Sequence, residues 1–378
     1  MKPDRRSILL ISPHYAPMPT GLGDYTTILH QELLAHTQAS VLTSVSNLKA
    51  PGVHSVVRRW KFFELLRVFR QEKLYDQDQY FVQYVPFMYE RRGGINFSFC
   101  LFLLYLARLR GKHVDLMVHE VNYPFELKPK SLLMFFSHGL MMGILLLASR
   151  KVFISTDYFQ QQLKNIFRVP EKKLQRLSVG SNIPAARFRQ RPWNQPLRLC
   201  MFGKLHPAKE VHWLLGECLE LHRQGLLFEL VYIGESQEEL LKLFSSEEKL
   251  EFLKFLKPLG FLDDQAVALE LSSCDILLAY FVDGLSSRRG SVMAALNNGL
   301  EVISTDGSFT EKEFRNKKFI HLLPIEKKKF RDGFAQFLQT WTPTQDSRKV
   351  HAFYEAHFSW KKVVETYLSF STGTDREV

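Results

Sequence analysis

The feature that most limits the folds open to this chain is a recurring order. A short apolar run is followed by a turn bearing glycine or proline, and then by a helical pattern. In the first half the runs lie at 7–12, 41–43, 80–84, 114–122 and 152–155. In the second they lie at 197–202, 228–233, 276–280, 302–305 and 320–323. Runs this short and this continuously apolar read as strands buried on both faces of a parallel sheet. Strand and helix alternate regularly in both halves, which predicts an α/β architecture of two Rossmann-like domains. At 378 residues the chain is long enough for both. A boundary is expected after Gly180-Ser181-Asn182-Ile183-Pro184, in the basic, proline-containing stretch 187–196. That gives domains 1–185 and 186–357. A helix over 361–368 and a polar tail from Ser371 close the chain.

Charge narrows the partners. Up to Ala185 there are 24 Lys and Arg against 13 Asp and Glu, whereas the remainder has 26 against 26. The whole excess of +11 therefore belongs to the first domain, and such a field suits a nucleic acid or an anionic lipid surface. No nucleic-acid motif accompanies it, so no nucleic-acid partner is expected. The segment 57–73 sets Trp60, Phe62, Phe63, Leu65, Leu66 and Phe69 among Arg58, Arg59, Lys61, Arg67 and Arg70. This reads either as a helix lying in a membrane interface or as a core-facing helix with a solvated basic side. The stretch 97–109 is also strongly apolar. The apolar stretch 132–148 is about 17 residues long, at the lower limit for spanning a bilayer, and reads as a buried or membrane-touching helix rather than a span. Cys100, Cys200, Cys218 and Cys274 are far apart with no C-x-x-C pair. Free thiols in a reducing compartment are expected, with no disulfide framework and no metal site. The beginning, MKPDRR followed by a short strand, reads as no secretory signal.

Several turns carry chemistry. After the run at 276–280, the stretch 281–299 passes Asp283, Ser286, Arg288 and Arg289. It becomes helical at Gly290 and stops at Asn298-Gly299. A helix N-terminus beside two arginines suits an anion, although a plain βα turn with surface arginines has the same sequence. Gly21 and Gly23 follow the first strand and permit close backbone approach, but fall short of a full G-x-G-x-x-G. The strand from 114 ends on His119-Glu120, at the edge where parallel sheets bind ligands. His119 there meets a ligand hydroxyl or satisfies a loop carbonyl. Gly203-Lys204 ends the strand 197–202, and Lys209 follows. The two lysines either point at a phosphate or are solvated surface groups. A charged helix is expected over 237–256, a short strand or turn over 259–262, and a helix over 264–272.

Taken in order, these pieces resemble the retaining glycosyltransferases of family 4, which have the GT-B fold. The matching residues are Gly21-Leu22-Gly23-Asp24-Tyr25, His119-Glu120, Gly180 to Pro184, Gly203-Lys204 with Lys209, Gly234, Leu259-Gly260-Phe261, Asp275, Asp283-Gly284, Gly299 and Phe358-Ser359-Trp360. The resemblance implies two Rossmann-like domains facing across a cleft, the C-terminal helix packing back on the first. It implies a cytoplasmic hexosyltransferase, peripheral on the inner face of a membrane, acting in polysaccharide or glycoconjugate synthesis. A nucleotide-sugar would be the donor and a glycan or lipid-linked molecule the acceptor, with no metal and no other cofactor. Lys204 and Lys209 would hold the donor diphosphate and stabilise the leaving nucleotide. The backbone of Gly290, Ser291 and Val292 would cradle the same group, with Gly203, Gly234, Ser286, Arg288 and Arg289 around it. Gly260 would line the base, Gly21 and Gly23 would approach the phosphate from the first domain, and His119 would contact the sugar.

The resemblance breaks at the family's E-x7-E acids. Counting back from Gly299 places them at Ser286 and Ala294, whereas counting from Asp283 places the second at Ser291. Asp283 is left to take the sugar contact, and the ribose contact is missing from its usual place. Two further readings stay open. One is an inactive GT-B nucleotide- or glycan-binding module that partners another transferase. The other is a nucleotide-sugar epimerase, for which no acid cluster is visible.

Overall fold

The computed structural model describes residues 6–18, 20–46, 48–90, 94–121, 126–187, 196–342 and 346–372. Most of the expected boundary stretch 187–196 lies outside them, as do Asn122 and the tail from 373. Seven parallel strands form the first sheet: β1 (Ser7–Ile11), β2 (Gln38–Ser44), β3 (Val53–Val57), β4 (Gln79–Tyr84), β5 (His113–Val118), β6 (Lys151–Ile154) and β7 (Leu174–Arg176). Their order is β3-β2-β1-β4-β5-β6-β7. Six more form the second: β8 (Leu197–Phe202), β9 (Phe228–Ile233), β10 (Leu256–Pro258), β11 (Ile276–Leu278), β12 (Glu301–Asp306) and β13 (Ile320–Pro324), in the order β10-β9-β8-β11-β12-β13. In both sheets the order reverses once. At β1/β4, Ile11 pairs with Leu42 on one side and Val82 on the other. At β8/β11, Cys200 pairs with Val231 and Leu277. Connections leave in opposite directions at such a reversal and open a crevice beyond the carboxyl ends of the strands.

The chain divides into two compact units, Met1–Ser178 with Trp360–Val378, and Val179–Ser359. Seven helices matter below: α1 (Gly21–Leu34), α2 (Phe62–Gln71), α3 (Phe97–Arg108), α4 (Pro129–Ala148), α5 (Val211–Arg223), α6 (Gly290–Asn297) and α7 (Trp360–Thr372). α7 packs on the first unit, as the fold expectation requires. The Tyr367 ring stacks on Phe81 with centroids 4.1 Å apart and meets Phe153 at 5.1 Å. Trp360 lies against Tyr25 at 5.1 Å.

Three expectations change. The charged segment 237–256 is two helices, Gln237–Leu241 and Ser246–Phe252, followed by β10. Ser245 breaks it: the Ser245 side chain accepts from Glu248 N–H, and the Glu248 carboxylate accepts from Ser245 N–H. This reciprocal cap starts a new helix. In 57–73, Val57 belongs to β3 and the helix begins only at Phe62, while Trp60 is buried edge-on against Tyr89 and Phe99. At 259–262, expected as a short strand or a turn, the strand alternative falls, because β10 ends at Pro258. The stretch 132–148 lies within α4, which by length and composition alone is long and apolar enough to cross a membrane. It packs along α3 and buries Met134, His138, Met141, Met142 and Leu145.

Tyr367 is fully buried, so Tyr367→Ala leaves a ring-sized void and costs about 3–5 kcal/mol. Thermal denaturation of the variant is expected to show a lowered midpoint for the first unit. An unchanged midpoint would contradict this packing.

Candidate functional site

In the second unit the predicted residues gather at the β8/β11 reversal. Gly203 (φ +114) follows β8, Gly234 (φ +103) follows β9, and Gly260 (φ +66) lies just after β10. A Cβ on Gly234 would stand 3.1 Å from the Gly203 carbonyl carbon, so these strand ends pack backbone on backbone. Gly234 N–H donates to Gly260 O at 2.7 Å. A Cβ on Gly203 would lie 2.5 Å from Lys209 Nζ. The missing side chain thus leaves the place where the ammonium rests. The turn is closed by Glu210, a non-glycine residue at φ 46 that ion-pairs with Lys327 at 3.0 Å. Glu210 is the N-cap of α5 and makes no side-chain capping bond.

Burial lowers the pKa of Lys209 from the ordinary lysine value, and the neighbouring Arg289 charge lowers it further. Arg289 lies over the Phe281 ring at 4.4 Å and ion-pairs with Asp283 Oδ1. Lys209, Phe281 and Ser291 line one small cavity with Phe202, Tyr232 and Ala279. Lys204 is exposed, its Nζ 5.7 Å from the Phe261 ring centroid. Arg289 is the N-cap of α6, again without a side-chain capping bond, and Gly290 is exposed with nothing within 4 Å of a built Cβ. Two uncapped helix N-termini and three cations therefore share this end of the sheet, an arrangement suited to a phosphorylated ligand.

The loop carrying these groups is fixed from behind. Gly284 (φ +99) has no room for a Cβ, which would lie 2.6 Å from Gly307 N. Leu285 N–H donates to Thr310 Oγ1 at 3.1 Å. Ser287 N–H and Oγ–H both donate to the buried Glu311 carboxylate, at 3.1 and 3.0 Å. Ser286, expected beside the ligand, is 1% exposed.

In the first unit the β1/β4 reversal gathers polar and aromatic groups. Gly21 and Gly23 lie in the first turn of α1 rather than in a loop before it. Thr20 caps that helix by accepting from Gly23 N–H at 3.1 Å and contacts His14 Nδ1 at 2.9 Å. A Cβ on Gly23 would lie 2.8 Å from Met18 O, whereas Gly21 has nothing within 4 Å. Gly23 therefore serves packing, and Gly21 leaves an open approach. His119 follows β5, its N–H bonded to Tyr84 O at 3.1 Å. Its ring sits edge-on to Tyr25 at 4.8 Å, and its Nε2 meets Gln83 Oε1 at 3.1 Å.

Two contributors escape a reading of the sequence. Phe281 looked like an ordinary apolar residue, and Glu311 reaches Ser287 across 24 positions. Gln83 did leave a signal, a polar residue inside the apolar strand β4. It is fully buried, and its Nε2 and the Tyr25 hydroxyl have no hydrogen-bond partner among the described residues. With Oε1 as acceptor, His119 carries its proton on Nε2 and accepts through Nδ1. Nitrogen-15 spectra of the imidazoles are expected to show this tautomer for His119 in the parent chain and a mixture in Gln83→Leu. A parent His119 protonated on Nδ1 would mean that the amide is turned around.

Comparison with protein-family models finds no match, and comparison with curated proteins finds none. Solved structures do match, over nearly the whole chain. Sucrose-phosphate synthase from Thermosynechococcus elongatus is 14% identical with a TM-score of 0.67, over 97% of this chain and 98% of that one. Anabaena HepE, solved in complex with UDP and glucose, is 12% identical with a TM-score of 0.63, over 97% and 99%. The lipopolysaccharide outer core galactosyltransferase WaaB is 12% identical with a TM-score of 0.63, over 96% and 99%. At such identities the likeness is one of fold. The two parallel sheets, each flanked by helices, are those of the GT-B glycosyltransferases.

Proposed function

We propose that the chain is a retaining, metal-independent glycosyltransferase of the family 4 type, moving a hexose from a nucleotide-sugar to a glycan or lipid-linked acceptor. The observation that carries this reading is the Lys209 ammonium resting on Gly203 beside Arg289, at the mouth of two uncapped helices. A diphosphate satisfies every unmet feature there: the crowded cations, the open N–H groups and the glycine clearance. In the reaction, charge builds on the leaving nucleoside diphosphate as the glycosidic bond to the sugar breaks. Lys204 and Lys209 meet that charge as donors, and the N–H groups of Gly290 and Ser291 share it, whereas Val292 N–H is already bonded to Arg289 O at 2.9 Å. Gly260 and Phe261 border the base. His119, oriented by Gln83 and Tyr25, contacts the sugar. The acceptor hydroxyl attacks from the face the nucleotide leaves, and a donor phosphate oxygen takes its proton. HepE, bound to UDP and glucose, makes UDP the first nucleotide to try.

One observation favours a second reading, a nucleotide-binding module without turnover. Asp283 Oδ1 is engaged by Arg289, so the one acid in the stretch 281–299 is already partnered inside its loop.

Thermal shift with UDP, GDP and ADP is expected to find one stabilising nucleotide. Lys209→Met should abolish that stabilisation, and nucleotide stabilisation surviving both Lys204→Ala and Lys209→Ala would overturn the site. Transfer from the matching sugar nucleotide should survive EDTA and fall on the order of 100-fold in Lys204→Ala. EDTA-sensitive transfer would refute the metal-independent mechanism, and tight binding with no turnover on any acceptor would favour the module.

The pH dependence has a definite sign. Lys209 has a lowered pKa in the fold, so between its folded and unfolded values the unfolded chain binds the extra proton and stability rises with pH. Lys209→Met removes the buried charge, and its unliganded midpoint should equal or exceed the parent's at neutral pH. A large fall would show that Lys209 is a structural partner instead.

A further inference from the structure

The chain after β8 borders two cavities. Lys209 lines the small one described above. Residues between 205 and 213, with Lys242, line a second of about 320 Å³, within the usual range of small-molecule pockets, roughly 300–1,000 Å³. Its apolar lining includes Leu205, Pro207 and Trp213, and its polar lining is His206, Glu210, His212 and Lys242.

The partners of these polar groups fix what each can offer a ligand. His206 Nδ1 accepts Ala208 N–H at 3.1 Å, so Nε2 of that ring is left as a donor. His212 Nε2 donates to Glu239 O at 3.3 Å, so in the neutral ring Nδ1 is left as an acceptor. Lys242 ion-pairs with Glu239 at 2.5 Å. Lys327 holds the Glu210 carboxylate at 3.0 Å and lies over the Trp213 ring at 5.1 Å. The half-buried Trp213 also meets Tyr280 and Phe330 edge-on, at 4.9 and 5.8 Å, which holds the indole as a wall.

Both lysines thus have a carboxylate partner, unlike the crowded cations of the β8/β11 site, and a phosphate gains less here. What the cavity offers is an apolar wall with hydrogen-bond donors and acceptors beside it. A pyranose has the matching form: C–H groups on its ring faces, and hydroxyls at its rim that both donate and accept. We propose that this cavity is a separate sugar-binding site, taking one neutral hexopyranosyl residue. His206 and Lys242 donate to its hydroxyls, and Glu210 and His212 Nδ1 accept from them. Neither Lys204, Arg289 nor His119 lines the cavity, so the site holds a sugar without reacting with it. The proposal is independent of the transferase reading.

The test is fluorine NMR of the full chain labelled with fluorotryptophan, the Trp213 signal being assigned with Trp213→Phe. Methyl α-glucoside, methyl α-mannoside, methyl α-galactoside and inorganic phosphate are titrated in turn. A saturable shift of the Trp213 signal is expected with at least one hexoside and none with phosphate. His206→Ala and Lys242→Ala should each weaken that binding about tenfold, with melting unchanged, and Lys209→Met should leave it intact. Absence of a shift with every hexoside across the millimolar range would overturn the proposal. So would a hexoside response equally strong in the two alanine variants, or a saturable response to phosphate. Loss of the hexoside response in Lys209→Met would also overturn it, because the sugar would then sit in the nucleotide site.

Discussion

Lys209 and Arg289 are two cations held together at the end of a parallel sheet, one of them substantially withdrawn from water. Much of the second unit is arranged around this placement. Lys209 reaches it only because Gly203 has no side chain, because Gly234 lets β9 end against β8, and because Glu210 adopts a left-handed turn. Arg289 reaches it because the loop after β11 is clamped to the loop after β12 through Gly284, Thr310 and Glu311. Asp283 offsets part of the positive charge. What remains is a field with open helix N-termini beside it, and such a site gains most from a multiply charged anion.

The two units carry different chemistry at equivalent places. Both sheets reverse strand order once, and both gather their notable side chains there. In the second unit the gathering is cationic and glycine-rich, as a phosphate needs. In the first it is polar and aromatic: Tyr25, His119 and Gln83 are joined by a hydrogen bond and a ring contact. On its helix layer the first unit also exposes Leu133, Phe136, Leu140 and Leu147, with the exposed Arg59, Arg67, Lys128 and Lys130 on the same layer or at its ends. The first unit therefore separates a polar sheet edge from an exposed apolar helix face.

Much of this was legible in the sequence because buried parallel strands declare themselves as continuous apolar runs. The centres of β1, β4, β8, β9 and β12 lie where the runs lie. β7 and β10 escaped because LQR and LKP contain too few apolar residues to stand out against their flanks, and β3 because His54 and Ser55 interrupt VHSVV, which runs into the segment read as a helix from Val57. The segment 237–256 looked like one helix because charged residues continue across Ser245, and only the reciprocal bond to Glu248 shows the break. The glycines at 21, 23, 203, 234 and 260 were visible, but their separate duties were not. Clearance for Lys209 and contact with Met18 depend on residues folded against them. Ser286 was expected at the ligand and is buried. Glu311 left no sign at all, because its partner Ser287 lies on another loop.

The central claim is that a diphosphate completes the Lys209–Arg289 site. It is tested most directly by calorimetric titration of UDP into the full chain, in mildly alkaline buffers of different ionisation enthalpy. An anion that settles on Lys209 raises its lowered pKa, so binding should draw a proton from the buffer, and that uptake should vanish in Lys209→Met. Binding of UDP with no proton uptake, or with the same uptake in both chains, would contradict the account.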